Sequence, residues 1–143
     1  MSTIPQFGNN RDDLMQRRGA YVVVYNKERK LMTDYKPSTQ RYYLPGGGID
    51  EGEKPEEAIV REVLEENGLT IRVTDKIGEA NQVCEHTTLG PMNKLGIFYK
   101  GELTDTPSIT PIEDDAELRW IDPKEFLKAK AHDFYKWAIK KAL

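Results

Sequence analysis

GGIDEGEKPEEAIVREVLEENGL, residues Gly47 to Leu69, contains one helix with start and stop signals at its two ends. Pro55 suits the first helical position, where its missing N–H is not needed. Glu56 and Glu57 fall in the first turn, where the helix dipole favours anions. Gly68 stands where a left-handed residue closes a helix. The reading is a helix over Pro55 to Asn67. At about 100° per residue, Ile59, Val60, Val63 and Leu64 share one side. Glu62, Glu65 and Glu66 take the other, with Ala58 among them, a small residue expected to leave space over the acidic patch.

Those three carboxylates are the most informative residues of the chain. Their i, i+3, i+4 spacing aims them at one region of space, and like charges so placed cost a helix roughly 0.2–0.5 kcal/mol per pair. They also sit in the last turn, near the negative end of the dipole. A solvated acidic face is the plain alternative. A helix that holds hard divalent cations needs this arrangement, because such ions take oxygen ligands, carboxylates and substrate phosphates first among them.

Outward from the helix, the pattern alternates strands with helices and predicts an α/β fold. Ala20 to Tyr25 is a continuous apolar, β-branched run, suited to a buried central strand. Lys30 to Tyr35 reads as its hairpin partner across Asn26-Lys27-Glu28. Arg41 to Leu44 is a short strand that stops at Pro45, and Gly46-Gly47-Gly48 forms a turn. Thr70 to Val83 reads as one or two strands interrupted near Asp75-Lys76 and Gly78. Leu95 to Leu103 and Glu117 to Ile121 follow as strands. Asp122 caps a helix that starts at Pro123 and breaks near His132-Asp133. Met1 to Arg18 is polar and reads as an arm leading into the fold.

Bulk properties narrow the function. The 143 residues suit one domain, 1–143. A net charge of −3 gives no electrostatic footprint for nucleic-acid binding. Cys84 is the only cysteine, so no intrachain disulfide forms, in keeping with a reducing, cytoplasmic setting. No stretch has the character of a signal peptide or a membrane span. His86, His132, Trp120 and Trp137 read as packing or surface residues, and Cys84 as a small buried one.

The stretch Gly47 to Leu69 resembles the Nudix box, the motif of the Nudix hydrolases. Gly47, Glu53, Arg61, Glu62, Val63, Glu65, Glu66, Gly68 and Leu69 match that pattern without a gap or substitution, and Leu44-Pro45-Gly46 resembles its usual lead-in. Tyr42 stands where the family commonly carries tryptophan. The resemblance implies an α/β/α sandwich with a mixed β-sheet between helices. It implies metal-dependent hydrolysis of a diphosphate linkage in a nucleoside diphosphate joined to another group, with Mg²⁺ as cofactor and Mn²⁺ able to substitute.

Metals clamp phosphate oxygens and activate water, so Glu62, Glu65 and Glu66 are the expected ligands. The resemblance adds the carbonyl of Gly46 or Gly47. Arg61 is expected to orient Glu65, and Glu53 to pair with Arg61 or cap backbone amides. The catalytic set is then Glu62, Glu65, Arg61 and Glu53. In the family the general base is the glutamate after the box arginine, here Glu62, or an acid on a later loop, here Glu113, Asp114 or Asp115.

Tyr35, Tyr42, Tyr43, Phe98 and Tyr99 lie on strands near the expected site, and Tyr42 and Phe98 are taken as substrate contacts together with Arg41; Lys94 is a further phosphate candidate. The preferred substrate is a nucleoside triphosphate, an oxidised one included, yielding monophosphate and pyrophosphate. ADP-ribose, a nucleotide sugar and a non-catalytic nucleotide-binding regulator are the alternatives. The expected partner is a small nucleotide, with no nucleic acid or membrane, and the chain is expected as a monomer or homodimer.

Overall fold

The computed structural model describes residues 3–85, 87–112 and 115–143. Its centre is β2, Met15–Val24, whose last six residues are all buried. β2 pairs in parallel with β7, Met92–Leu103, and antiparallel with β5, Gly46–Gly48. β6, Ile71–Cys84, and β1, Gln6–Phe7, complete a five-stranded mixed sheet in the order β1-β6-β7-β2-β5. A second, antiparallel sheet runs β4-β3-β8, from β4, Arg41–Tyr43, through β3, Leu31–Lys36, to β8, Glu117–Ile121.

Alternation along β2 builds the layers, because successive side chains on a strand face opposite ways. Ala20, Val22 and Val24 pack with Ala58, Ile59 and Val63 of α1, Pro55–Asn67. Tyr21 and Val23 pack on the other face with Phe126 of α2, Pro123–Lys128, and Phe134, Ala138 and Ile139 of α3, Asp133–Ala142. Both faces of the strand are covered, which is why its sequence is a continuous apolar run. The expected α/β/α sandwich is the observed architecture.

Four local expectations are corrected. The polar arm is partly structured: Gln6 and Phe7 pair with Asn81 and Gln82 in parallel, and β2 starts at Met15. The hairpin of β2 and β3 reduces to one bridge, Tyr25 to Leu31, after which β3 enters the second sheet. β7 pairs with β2 along its whole length and β5 takes Gly19 to Tyr21 on the other edge, while β3 has its own two edges filled by β4 and β8. The triple glycine is a strand rather than only a turn. Ala58 lies in the core with Ala20, Val22 and Val24 rather than over the carboxylates; a small side chain there lets α1 sit close to the sheet.

Elsewhere the reading holds. α1 has the expected bounds, and the Lys54 N–H donates to Glu57 Oε1 at 3.0 Å. Gly68 closes the helix at φ 69°, its N–H donating to the Leu64 carbonyl. β6 is a single strand with register shifts near Lys76 and Gly78, where the interruption was expected. Asp122 caps α2 through the Lys124 N–H at 2.8 Å, and the helices break before Asp133.

Candidate active site

Arg61 organises the outer face of α1. Its Nε and Nη2 donate to the two Glu53 oxygens at 2.8 and 3.0 Å. Nη1 donates to Glu62 Oε1 at 2.9 Å and to Glu65 Oε2 at 3.3 Å, and Nη2 also donates to the Gly48 carbonyl at 3.1 Å. Glu53 in turn accepts from the Asp50 N–H at 3.0 Å, which ties the loop before the helix to the same guanidinium. Arg61 and the Asp50 amide hold the Glu53 carboxyl down at about 2, and its acidic partners raise Arg61 further above its already high value. Both expected contacts of Arg61 are present, and the one to Glu62 is additional.

These carboxylates are not a solvated face. The side chains of Glu62 and Glu65 are 15% and 31% exposed. Glycine makes this possible: a Cβ at Gly47 would lie 2.8 Å from the Glu62 carboxyl carbon. Gly46, at φ 135°, carries the chain past β2, and a Cβ there would run into the Ala20 carbonyl oxygen.

Glu66 faces a different neighbour. It hydrogen-bonds with Asp34, a buried residue of β3 that also accepts from Asn67 Nδ2 at 2.5 Å. Burial pushes the Asp34 carboxyl up to about 6, against the opposing effect of these bonds. Sequence reading missed Asp34; its only signal was an acid in an otherwise apolar strand start, LMTD. Helical spacing puts the three glutamates on one face, but Arg61 and Asp34 divide them. Among the described residues no three His, Cys, Asp or Glu side chains form a ready-made cation cage. The donors are oxygen alone, three half-buried carboxylates beside a glycine backbone, which is the chemistry a hard divalent ion requires.

A cavity of about 150 Å³ opens beside this cluster, lined by Gly46, Gly47, Glu66, Asp34, Asp115 and Lys36 among others. Asp115 is thereby the loop acid placed at the site, 3.8 Å from Lys36 Nζ; Glu113 and Asp114 lie outside the described residues. The loop is held to the end of α1 by the Ile112 N–H on the Glu65 carbonyl, 2.8 Å, and the Ile109 N–H on the Gly68 carbonyl, 2.9 Å.

Tyr43 and Lys94 extend this cavity into a larger one of about 1080 Å³, which Arg41 also lines. Tyr42 is turned the other way, its ring 4.8 Å from Tyr35 and its hydroxyl accepting from Arg119 at 3.3 Å. Alternation along β4 thus gives Tyr43, not Tyr42, to the cavity. Phe98 is fully buried against Tyr21, Phe134 and Trp137, so it has no face for a substrate. Tyr99 lies on the α1 side, its hydroxyl donating to Glu56 at 2.8 Å. His132 packs by Tyr43 and Tyr135, and Cys84 is buried and unpaired.

Comparison with known proteins gives the family. The NUDIX domain model matches residues 15–142. A Bacillus subtilis protein, named provisionally as an 8-oxo-dGTP diphosphatase, is 31% identical over 76% of this chain and 68% of its own. An RNA pyrophosphohydrolase from Bartonella bacilliformis is 40% identical over 87% of this chain and 78% of its own. The fold is shared with a NUDIX hydrolase from Nitrosomonas europaea, TM-score 0.74 at 17% identity over 89% of this chain and 88% of that one. It is shared also with a MutT protein from Methanosarcina mazei, TM-score 0.71 at 18% identity over 90% and 94%. With a complete box on a capped helix, and a family match over nearly its whole length, the chain belongs to the NUDIX family of hydrolases, enzymes that generally use divalent metal ions.

Proposed function

We propose that this Nudix pyrophosphohydrolase cleaves the α–β anhydride of a nucleoside 5′-triphosphate, an oxidised one included, releasing monophosphate and pyrophosphate. The observation that carries the reading is the Arg61 hub, which fixes Glu53, Glu62 and Glu65 around one guanidinium beside the Gly46–Gly48 strand. Glu62, Glu65 and Glu66, with the carbonyl of Gly46 or Gly47, are the residues that would hold Mg²⁺, or Mn²⁺ in its place. When bound, the ion supplies charge for the phosphate oxygens and acidifies water.

The chain's own residues do the rest. Arg61 and Glu53 keep the helix and the preceding loop in one geometry, so that the carboxylates meet the anhydride preorganised. A carboxylate takes the proton of the attacking water as the bridging P–O bond breaks. Glu62 and Asp115 are the two candidates, the first held by Arg61 and the second at the mouth of the small cavity. Lys36 and Lys94 supply positive charge to the phosphates, and Tyr43 offers a ring to the nucleoside. A cytoplasmic setting belongs to the same proposal, in keeping with a single buried thiol.

Names among the relatives support a nucleotide substrate with a cleavable anhydride, both the 8-oxo-dGTP diphosphatase and the RNA pyrophosphohydrolases. The test is a panel of nucleoside triphosphates, ADP-ribose and nucleotide sugars with Mg²⁺, scored by the phosphate products. Monophosphate plus pyrophosphate from a triphosphate is expected; cleavage of ADP-ribose or sugar nucleotides alone would replace this substrate class.

A further inference from the structure

The larger cavity is not explained by cleavage of an anhydride. Its volume, about 1080 Å³, is at the top of the roughly 300–1,000 Å³ of ordinary small-molecule sites. Although the chain carries a net −3, the described lining of this cavity holds Lys36, Arg41, Lys94 and Lys130 against one acid, Glu85. Glu85 is 3.5 Å from Arg11. Lys36 has Asp115, but among the described residues Arg41, Lys94 and Lys130 make no ion pair with a carboxylate. Lys130 Nζ donates to the Thr39 carbonyl at 2.8 Å, and Lys94 is half-buried beside the Tyr21 phenol.

Two groups on the cavity wall, one half-buried and one buried, sense these charges together. His132, on the cavity wall, is driven down to about 4 by burial and then by Arg41 and Lys94 together. Cys84, also on the wall, is raised by burial and senses the same two cations in the opposite direction. Unpaired like charges around one cavity repel, so stability alone does not favour the arrangement. Lys36, Tyr43 and Lys94 line both cavities. A nucleotide with its anhydride at Gly47 and Glu66 would have Arg41 and Lys130 in the adjoining cavity.

We propose that Arg41 and Lys130 bind a second phosphate group carried on the sugar side of the nucleotide, so that the preferred substrate is a 5′-polyphosphorylated nucleotide bearing a 3′-phosphate or a 3′-phosphodiester. The inference rests on the nucleotide pyrophosphohydrolase reading above. The shared chemistry is the phosphate; its source is a phosphorylated mononucleotide or the 5′ end of an RNA chain.

The experiment compares kcat/KM for a nucleoside 5′-triphosphate, the same nucleotide with a 3′-monophosphate, and a 5′-triphosphate dinucleotide. The two phosphate-bearing substrates are expected to lead by about tenfold or more, mainly through KM, as charge-assisted bonds imply. The lead should shrink to within about twofold in Arg41→Gln/Lys130→Gln and be largely kept in Arg41→Lys/Lys130→Arg, because charge rather than fork geometry is lost or kept. A larger lead for the dinucleotide identifies an RNA end, and a larger lead for the 3′-monophosphate identifies a mononucleotide. Equal kcat/KM for all three, or a lead that survives the double Gln variant, overturns the proposal.

Binding separates this from the reaction itself. By calorimetry, a nucleoside 3′,5′-bisphosphate should bind about tenfold tighter than the 5′-monophosphate to the native chain and not to the double Gln variant. That result stands even where no triphosphate is cleaved, and equal binding of the two ligands sinks the cavity assignment alone.

Discussion

Arg61 grips Glu53 through two parallel bonds, Nε to Oε2 at 2.8 Å and Nη2 to Oε1 at 3.0 Å, while its remaining nitrogen serves Glu62 and Glu65. Under the proposed function Glu53 is a positioning residue that acts on the carboxylates through one guanidinium. Glu53→Gln should lower kcat by about 10–100-fold, the usual cost of losing an orienting partner at a metal site. The pair also has a pH signature. Glu53 sits at about 2 in the fold against an ordinary 4.5, so its stabilisation is present above 4.5 and is lost as pH falls toward about 2. The Tm gap between native and Glu53→Gln protein should narrow over that window and be constant above it; a gap indifferent to pH would contradict the pairing.

Glu65→Gln and Glu66→Gln should each cut the rate by ~10²-fold or more, as loss of a preorganised electrostatic group does. Activity should disappear in chelator and return with Mg²⁺ or Mn²⁺. Full activity in both variants, or turnover in excess chelator, would remove the carboxylates from the proposed role.

The general base is separable from the ligands by pH–rate profiles. Asp115 lines the small cavity beside Glu66 and is 69% exposed, so Asp115→Asn should leave Tm nearly unchanged. If Asp115 is the base, its variant loses the acidic limb of the kcat/KM profile. Unchanged limbs in Glu113→Gln, Asp114→Asn and Asp115→Asn alike assign the base to Glu62.

Gly46 and Gly47 should respond differently to the same methyl group. At Gly46 an added Cβ meets the backbone of Ala20 and Tyr21 at a φ of 135°, so Gly46→Ala should cost roughly 3 kcal/mol or more in stability. At Gly47 the three atoms nearest to the added Cβ all belong to the end of the Glu62 side chain, 2.8–3.1 Å away. Gly47→Ala should keep Tm within a few degrees and lose activity by about 10²-fold, because the carboxylate is pushed aside. Thermal melts and initial rates on the two variants distinguish these outcomes.

What was legible in the sequence was whatever depends on neighbours along the chain. The Arg61 contacts to Glu53 and Glu65 span eight and four residues, the Asp122 cap reaches two residues on to Lys124, and the ends of α1 are set by Pro55 and Gly68 at those ends. Contacts across sheets were not legible. Phe98 and Tyr99 are adjacent on β7, and only the layer order says that one enters the core against Phe134 while the other reaches Glu56. Tyr42 and Tyr43 exchange roles for the same reason. The expectation from net charge also missed a local excess, since Arg41, Lys94 and Lys130 come together only when β4, β7 and the segment between α2 and α3 meet. Asp34 was missed because its neighbours Glu66 and Asn67 are more than thirty residues away.

Asp34 offers the last test, since it links β3 to the end of α1 where Glu66 stands. Its carboxyl is raised to about 6 in the fold against an ordinary 3.8, chiefly by burial. The native state therefore binds the proton more tightly than the unfolded chain, and stability falls as pH rises from 3.8 to about 6, then levels. At about 1.4 kcal/mol per pKa unit, the fall is on the order of 3 kcal/mol. Asp34→Asn keeps an oxygen for the Asn67 amide and removes the ionisation. In metal-free protein its Tm should be nearly flat across that window, while the native chain loses several degrees. Parallel curves for the two proteins would mean that folding leaves the proton affinity of the Asp34 carboxyl unchanged.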